Sequence, residues 1–240
     1  MSSATKMDMG TQSVPSINEA RTRLLLICGA MAGPLFTLIW FITGLARANY
    51  HPMRHPISSL SIGEFGWTQV ASFTMTGLLS LALAFGLRSA LAARGGSKWA
   101  VIWIAAVGIG LIGAGLFVAD PMNGYPLGTP PLLMQPTVVG RLHRLFSALV
   151  FFGLPGAGFT LARLFARHGE HTWAIYSRYS AIAFLAMFVL TSVGFAQVEP
   201  FVNYAGLLQR ITLLIGFAWM TFLPLHLLNS PSKPQAPGRT

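Results

Sequence analysis

Asp120, His143 and Ser58 are the side chains in this sequence best placed to do chemistry. A histidine can move a proton near neutral pH, a carboxylate can orient it, and a serine can attack once a base takes its proton. Asp120 opens a polar stretch that runs to Arg144, closing on Arg141, His143 and Arg144, between two long apolar segments. His55, Arg54, Glu199 and Arg210 fall in gaps or segment ends on the same expected side of the membrane, so all six further residues are candidate ligand-binding groups.

Four chemistries can be built from this set. His55 and His143 with Asp120 or Glu199 would be nitrogen and oxygen ligands suited to zinc. No H-x-x-x-H or H-E-x-x-H spacing puts two of them on one helix, and Pro52 and Pro56 break the His51/His55 pair. No metal site is assigned, and the residues name no cofactor. A hydrolase would use Ser58 or Ser59 with His143 and Asp120, without a G-x-S-x-G elbow. An ion-pair network would join Asp120 to Arg141 or Arg144, and Glu199 to Arg210, because half-buried charges need partners. Arg47, Arg54, Arg141, Arg144 and Arg210 could instead hold a phosphate or carboxylate, with lipid headgroups the obvious anions.

These groups must be positioned by membrane helices. The chain has 240 residues, 53% of them hydrophobic and 9% charged, where a soluble domain carries about a quarter charged. The sequence predicts an all-α, polytopic bundle of six spans at about 24–46, 67–88, 99–119, 142–165, 179–197 and 207–228, each near the ~20 residues a spanning helix needs. The segments do not alternate as barrel strands would. Residues 1–22 and 229–240 read as disordered tails. Ala46-Arg47-Ala48 has the form of a cleavage site, but the preceding run is long enough to span, so it reads as an uncleaved anchor.

A net charge of +10 invites a nucleic-acid reading. It is rejected, because the basic residues sit in short gaps and at helix ends, where headgroups and insertion topology account for them. Eleven Lys/Arg against five favour both termini in the cytoplasm of a plasma (inner) membrane protein. The two cytoplasmic connections, RSALAARGGSK and ARHGEHTWAIYSR, carry no evident site. GIGLIGAG matches G-x-G-x-x-G, but inside a span its glycines serve helix packing. Pro34, Pro155 and Pro224 are candidate kinks, of the kind a transporter uses. Residues 57–63 read as a short interfacial helix, with Ser58 or Ser59 near its start as a cap. His143 and Ser147, four apart, share a helix face.

RANYHPMRHPISSLSIGEFGW, then FVADPMNGYP, then GRLHRLFSALVFFGLPGAGFTLAR resembles the bacterial and archaeal membrane proteins of domain-of-unknown-function family number 998. The resemblance spans about residues 24–228, with Tyr50, Pro56, Ile57, Ser58, Asp120, Pro121 and His143 at the motif positions. It implies six helices and an outward-facing polar site, and no established activity. Three function classes follow: a protein binding an amphiphile or lipid headgroup around Asp120 and His143, a membrane-embedded enzyme using the same residues, and a small transporter. Membrane lipid and an amphiphilic small molecule are the expected partners. The sequence leaves the oligomeric state open.

Overall fold

A computed structural model describes residues 16–229. Six long helices carry the fold: α1 Ile17–Ala46, α2 Gly66–Ala90, α3 Lys98–Leu116, α4 Val138–Arg167, α5 His171–Phe195 and α6 Ala205–Asn229. All six are long and apolar enough to cross a membrane. Among the described residues there is no strand beyond one isolated bridge between Met122 and Tyr125. Each helix packs on its chain neighbour, and α1 closes the ring against α6. Six antiparallel passes bring Ile17 and Asn229 to one end, here the Glu170 end. Asp120 and the long loops lie at the other.

Several boundaries differ from those expected. α1 starts at Ile17, inside the stretch read as a disordered tail. Ser16 Oγ accepts from Glu19 N at 3.3 Å while Ser16 N donates to Glu19 Oε2 at 2.8 Å. That reciprocal pair satisfies two orphan donors and starts the helix about two turns early. The rest of both tails, 1–15 and 230–240, lies outside the described residues. α4 starts at Val138, and α5 at His171 rather than 179. The 57–63 helix is a 3-10 turn, Ile57–Ser61, capped by Pro56 without a side-chain bond; Ser61 Oγ donates to Ser58 O instead. α1, α4 and α6 run unbroken through Pro34, Pro155 and Pro224.

Small residues set the spacing in the ring. A Cβ on Gly108 of α3 would lie 2.8 Å from the Gly77 carbonyl oxygen of α2, so only glycine allows this approach. Phe36 of α1 packs on Phe217 (5.0 Å between centroids) and Phe73 (5.7 Å), filling the centre between α1, α2 and α6. At the opposite end to Asp120, Glu170 is not a solvated loop residue. It accepts from Arg94 Nε at 3.1 Å and pairs with His226 Nε2 at 2.6 Å, and the Trp173 ring stacks on His226 at 4.2 Å. This clasp ties the two short connections to the end of α6.

Candidate functional site

At the Asp120 end, three loops close the bundle. The first, 47–65, is gripped by two arginines at its own carbonyl oxygens and held by the burial of Tyr50, Ile57 and Leu60. Arg47 donates to Leu60 O (3.0 Å) and Ile62 O (2.9 Å). Arg210 of α6, 5% exposed, donates through one nitrogen to Pro52 O (2.6 Å), His55 O (3.1 Å) and Gly206 O (2.9 Å), and through the other to the Tyr50 hydroxyl. Its guanidinium also lies over the Trp40 and Tyr50 rings, at 5.1 and 5.6 Å. Burial holds the Tyr50 pKa above its ordinary value despite the opposing pull of Arg210. The hydroxyl therefore keeps its proton and donates to Pro56 O at 3.0 Å. Asn123 joins the other two loops to this one: its Nδ2 donates to Arg54 O (2.8 Å), and its Oδ1 accepts from Gln197 Nε2 (2.5 Å).

The expected ion pairs do not form. Among the described residues the only carboxylate with cationic partners is Glu170. Asp120 caps α4, accepting from Thr137 N (3.1 Å) and Thr137 Oγ1 (2.6 Å), while Thr137 Oγ1 accepts from Gly140 N (2.9 Å). A carboxylate at a helix N-terminus is stabilised by the helix dipole and needs no arginine. Glu199 accepts from Asn203 Nδ2 at 2.9 Å on an exposed surface. Arg141 and Arg144 are exposed. Arg210 commits its terminal nitrogens to carbonyls and the Tyr50 hydroxyl, which no charge-pairing rule anticipates, while its buried Nε has no partner among the described residues.

His55 is 4% exposed, packed among Tyr50, Tyr125 and His51. Its Nδ1 accepts from His51 N at 2.9 Å, so that nitrogen carries no proton. Desolvation lowers its pKa from 6.5 to about 4, with the His51 and Arg54 charges adding to the effect. A group whose folded pKa is depressed in this way favours the fold when neutral. The unfolded chain binds the extra proton, so stability is whole above about pH 6.5 and is lost as pH falls towards 4. Allowing for water at the loop, the loss is about 1–2 kcal/mol. Melting curves of the wild type and His55→Asn, which keeps an acceptor but does not titrate, should converge as the pH drops through this window. A constant gap from pH 7 to 4 would rule the effect out.

His143 and Ser58 do come together. A narrow cavity of about 40 Å³ lies beneath the Ile57–Ser61 turn. Ser58, His143, Ser147 and Gln209 give it polar groups, and Phe36, Phe73 and Phe151 stand among its apolar walls. The orienting groups of His143 are not Asp120. They are carbonyls at the end of α3: the ring Nδ1 lies 3.0 Å from Ala114 O in its last turn and 2.8 Å from the O of Phe117, the residue just past it. Carbonyls only accept, so Nδ1 carries the proton and Nε2 is left a bare acceptor. α3 ends at Leu116 rather than 119, and its freed carbonyls are what the histidine binds. Gln209 Oε1 accepts from Ile57 N at 2.8 Å, leaving its amide nitrogen as a donor with no partner among the described residues. Gln209 is the site residue that sequence reasoning missed; a glutamine inside the apolar run LLQRITLL was the signal for it. Among the described residues, no three His, Cys, Asp or Glu side chains are grouped to share a metal ion.

A family model described as protein of unknown function (DUF998) matches residues 30–226, which include the first loop, Asp120 and all of the cavity. The chain belongs to the DUF998 family. No curated protein and no solved structure matches it significantly. In this DUF998 protein, then, the site rests on its own geometry: a donor amide, a bare imidazole nitrogen and two serines in an apolar frame.

Proposed function

We propose that this DUF998 membrane protein binds an amphiphile by its polar end, in the cavity between His143, Gln209, Ser58 and Ser147, with the Asp120 end on the extracytoplasmic side and both termini in the cytoplasm. The observation that carries the reading is the composition of the cavity wall. Its polar groups are neutral and include both a free donor and a free acceptor, while its other walls are aromatic and aliphatic. None of the arginines lines it. The favoured polar group is therefore uncharged, such as a hydroxyl or an amide. A volume of about 40 Å³ admits a small polar group and no more than a few atoms, since a single water needs about 10–15 Å³ of such space.

The test uses His143→Asn, whose amide nitrogen can still donate to the α3 carbonyls while the Nε2 acceptor is gone. Native mass spectrometry of gently extracted protein should show a retained amphiphile in the wild type, and at least about tenfold less in His143→Asn and in Gln209→Leu at unchanged fold. Equal retention in all three would sink the reading.

A second reading, a membrane-embedded hydrolase, is favoured by one observation: Ser58 and His143 line the same cavity, with the ring held in the tautomer that can accept the serine proton. A fluorophosphonate probe should then label the wild type and not Ser58→Ala. No labelling of either removes this reading.

A further inference from the structure

The short connections at the Glu170 end showed no site in the sequence, yet the structure builds one there. A cavity of about 490 Å³ opens between the first turns of α3 and the last turns of α4. Trp99 and Trp103, one turn apart on α3, face Thr160, Arg163, Leu164 and Arg167 of α4. Gly156 makes the arrangement possible, because a Cβ there would lie 2.7 Å from the Trp103 ring. The Lys98 ammonium sits over the Trp99 ring at 5.9 Å, adding a third cation beside the rim.

The charges in this cavity are uncompensated. Arg163 and Arg167 are exposed, and neither has a hydrogen bond or ion pair with a described residue. Like charges one turn apart repel, so the pair favours an anion between them. The nearby carboxylates are committed elsewhere: Glu170 to Arg94 and His226, Glu19 to the Ser16 N–H. Neither indole N–H has a partner among the described residues, and two tryptophans at a helix end mark headgroup depth. Guanidinium groups bind phosphate oxygens bidentately, and basic pockets between helix ends at this depth suit anionic headgroups.

We propose that this cavity binds one anionic phospholipid, with its phosphate between Arg163 and Arg167 and its glycerol-ester region against Trp99 and Trp103. The proposal does not depend on the His143 cavity. The full chain is placed in nanodiscs of equal phosphatidylglycerol and phosphatidylcholine, and native mass spectrometry counts the lipids that leave with the protein. The wild type should prefer phosphatidylglycerol by about 30-fold at one site, the contribution of two arginines near the surface. Arg163→Gln/Arg167→Gln should bring that ratio close to one. The control is Arg88→Gln/Arg178→Gln, which removes two exposed arginines from the same end but outside the cavity; it should keep the preference. Equal loss in both double variants would mean diffuse attraction and overturn the proposal. So would a wild type without preference, or one whose preference survives the cavity substitutions.

Discussion

Arg210→Ala should lower the stability of the detergent-solubilised protein by about 3–5 kcal/mol, the largest effect expected of any charged residue here. The arginine is 5% exposed, and its loss leaves Pro52 O and the Tyr50 hydroxyl oxygen without their donor and His55 O with only the Tyr50 hydroxyl at 3.3 Å. Each buried acceptor left unpaired costs about 1–3 kcal/mol. The contacts over Trp40 and Tyr50 go as well. Arg210→Lys should recover only part of the loss, since one ammonium cannot reach across the spread that a guanidinium fork covers. Thermal unfolding, followed by tryptophan fluorescence in detergent, gives the readout. A shift equivalent to less than about 1 kcal/mol for the alanine variant would mean that the first loop stands without this anchor.

Gly206→Ala should be nearly as damaging, at about 2–3 kcal/mol. A Cβ at this first turn of α6 would meet Pro52 O at 2.6 Å and His55 O closer still. Both are main-chain atoms held by Arg210, so they cannot step aside as a flexible side chain would. The helix and loop must separate, which also draws Leu207 N away from Met53 O, now 2.9 Å distant. Gly95→Ala serves as a comparison of a different kind. That residue has open space around it, and its cost comes from its positive φ of 75° alone. Gly206→Ala melting at or above the temperature of Gly95→Ala would contradict the packing argument.

The six helices were legible because a bilayer imposes length and apolarity on each segment, and both can be counted in the sequence. Their ends were less so. The turns of α1 around Arg21 and Arg23, and those of α5 around Trp173 and Arg178, are helical beyond the apolar run, where hydropathy carries no signal. The Ser16/Glu19 box was visible in the sequence, but its polar setting read as tail. His143 stood out because histidines are few in this apolar chain, whereas Ser58 was one of several serines in the first loop; both line one cavity. The arginines were misread for a physical reason. A sequence shows charges, so reasoning from it pairs Arg210 with Glu199 and Arg141 or Arg144 with Asp120. The fold instead offers carbonyl oxygens to Arg210 and a helix N-terminus to Asp120. The Arg163/Arg167 and Trp99/Trp103 spacings were each visible, but the register between α3 and α4 that sets them face to face was not.

Because Arg47 and Arg210 grip main-chain oxygens, much of the fastening of the first loop ignores its exposed side chains. Point changes at exposed positions such as His51 or Met53 leave every grip in place. Adding or deleting one residue between Pro52 and Ile62 does not, since it carries the carbonyls out of register with both arginines. Over evolutionary time the exposed positions of such a loop are free to drift while its length and its buried side chains, Tyr50, Ile57 and Leu60 among them, stay fixed.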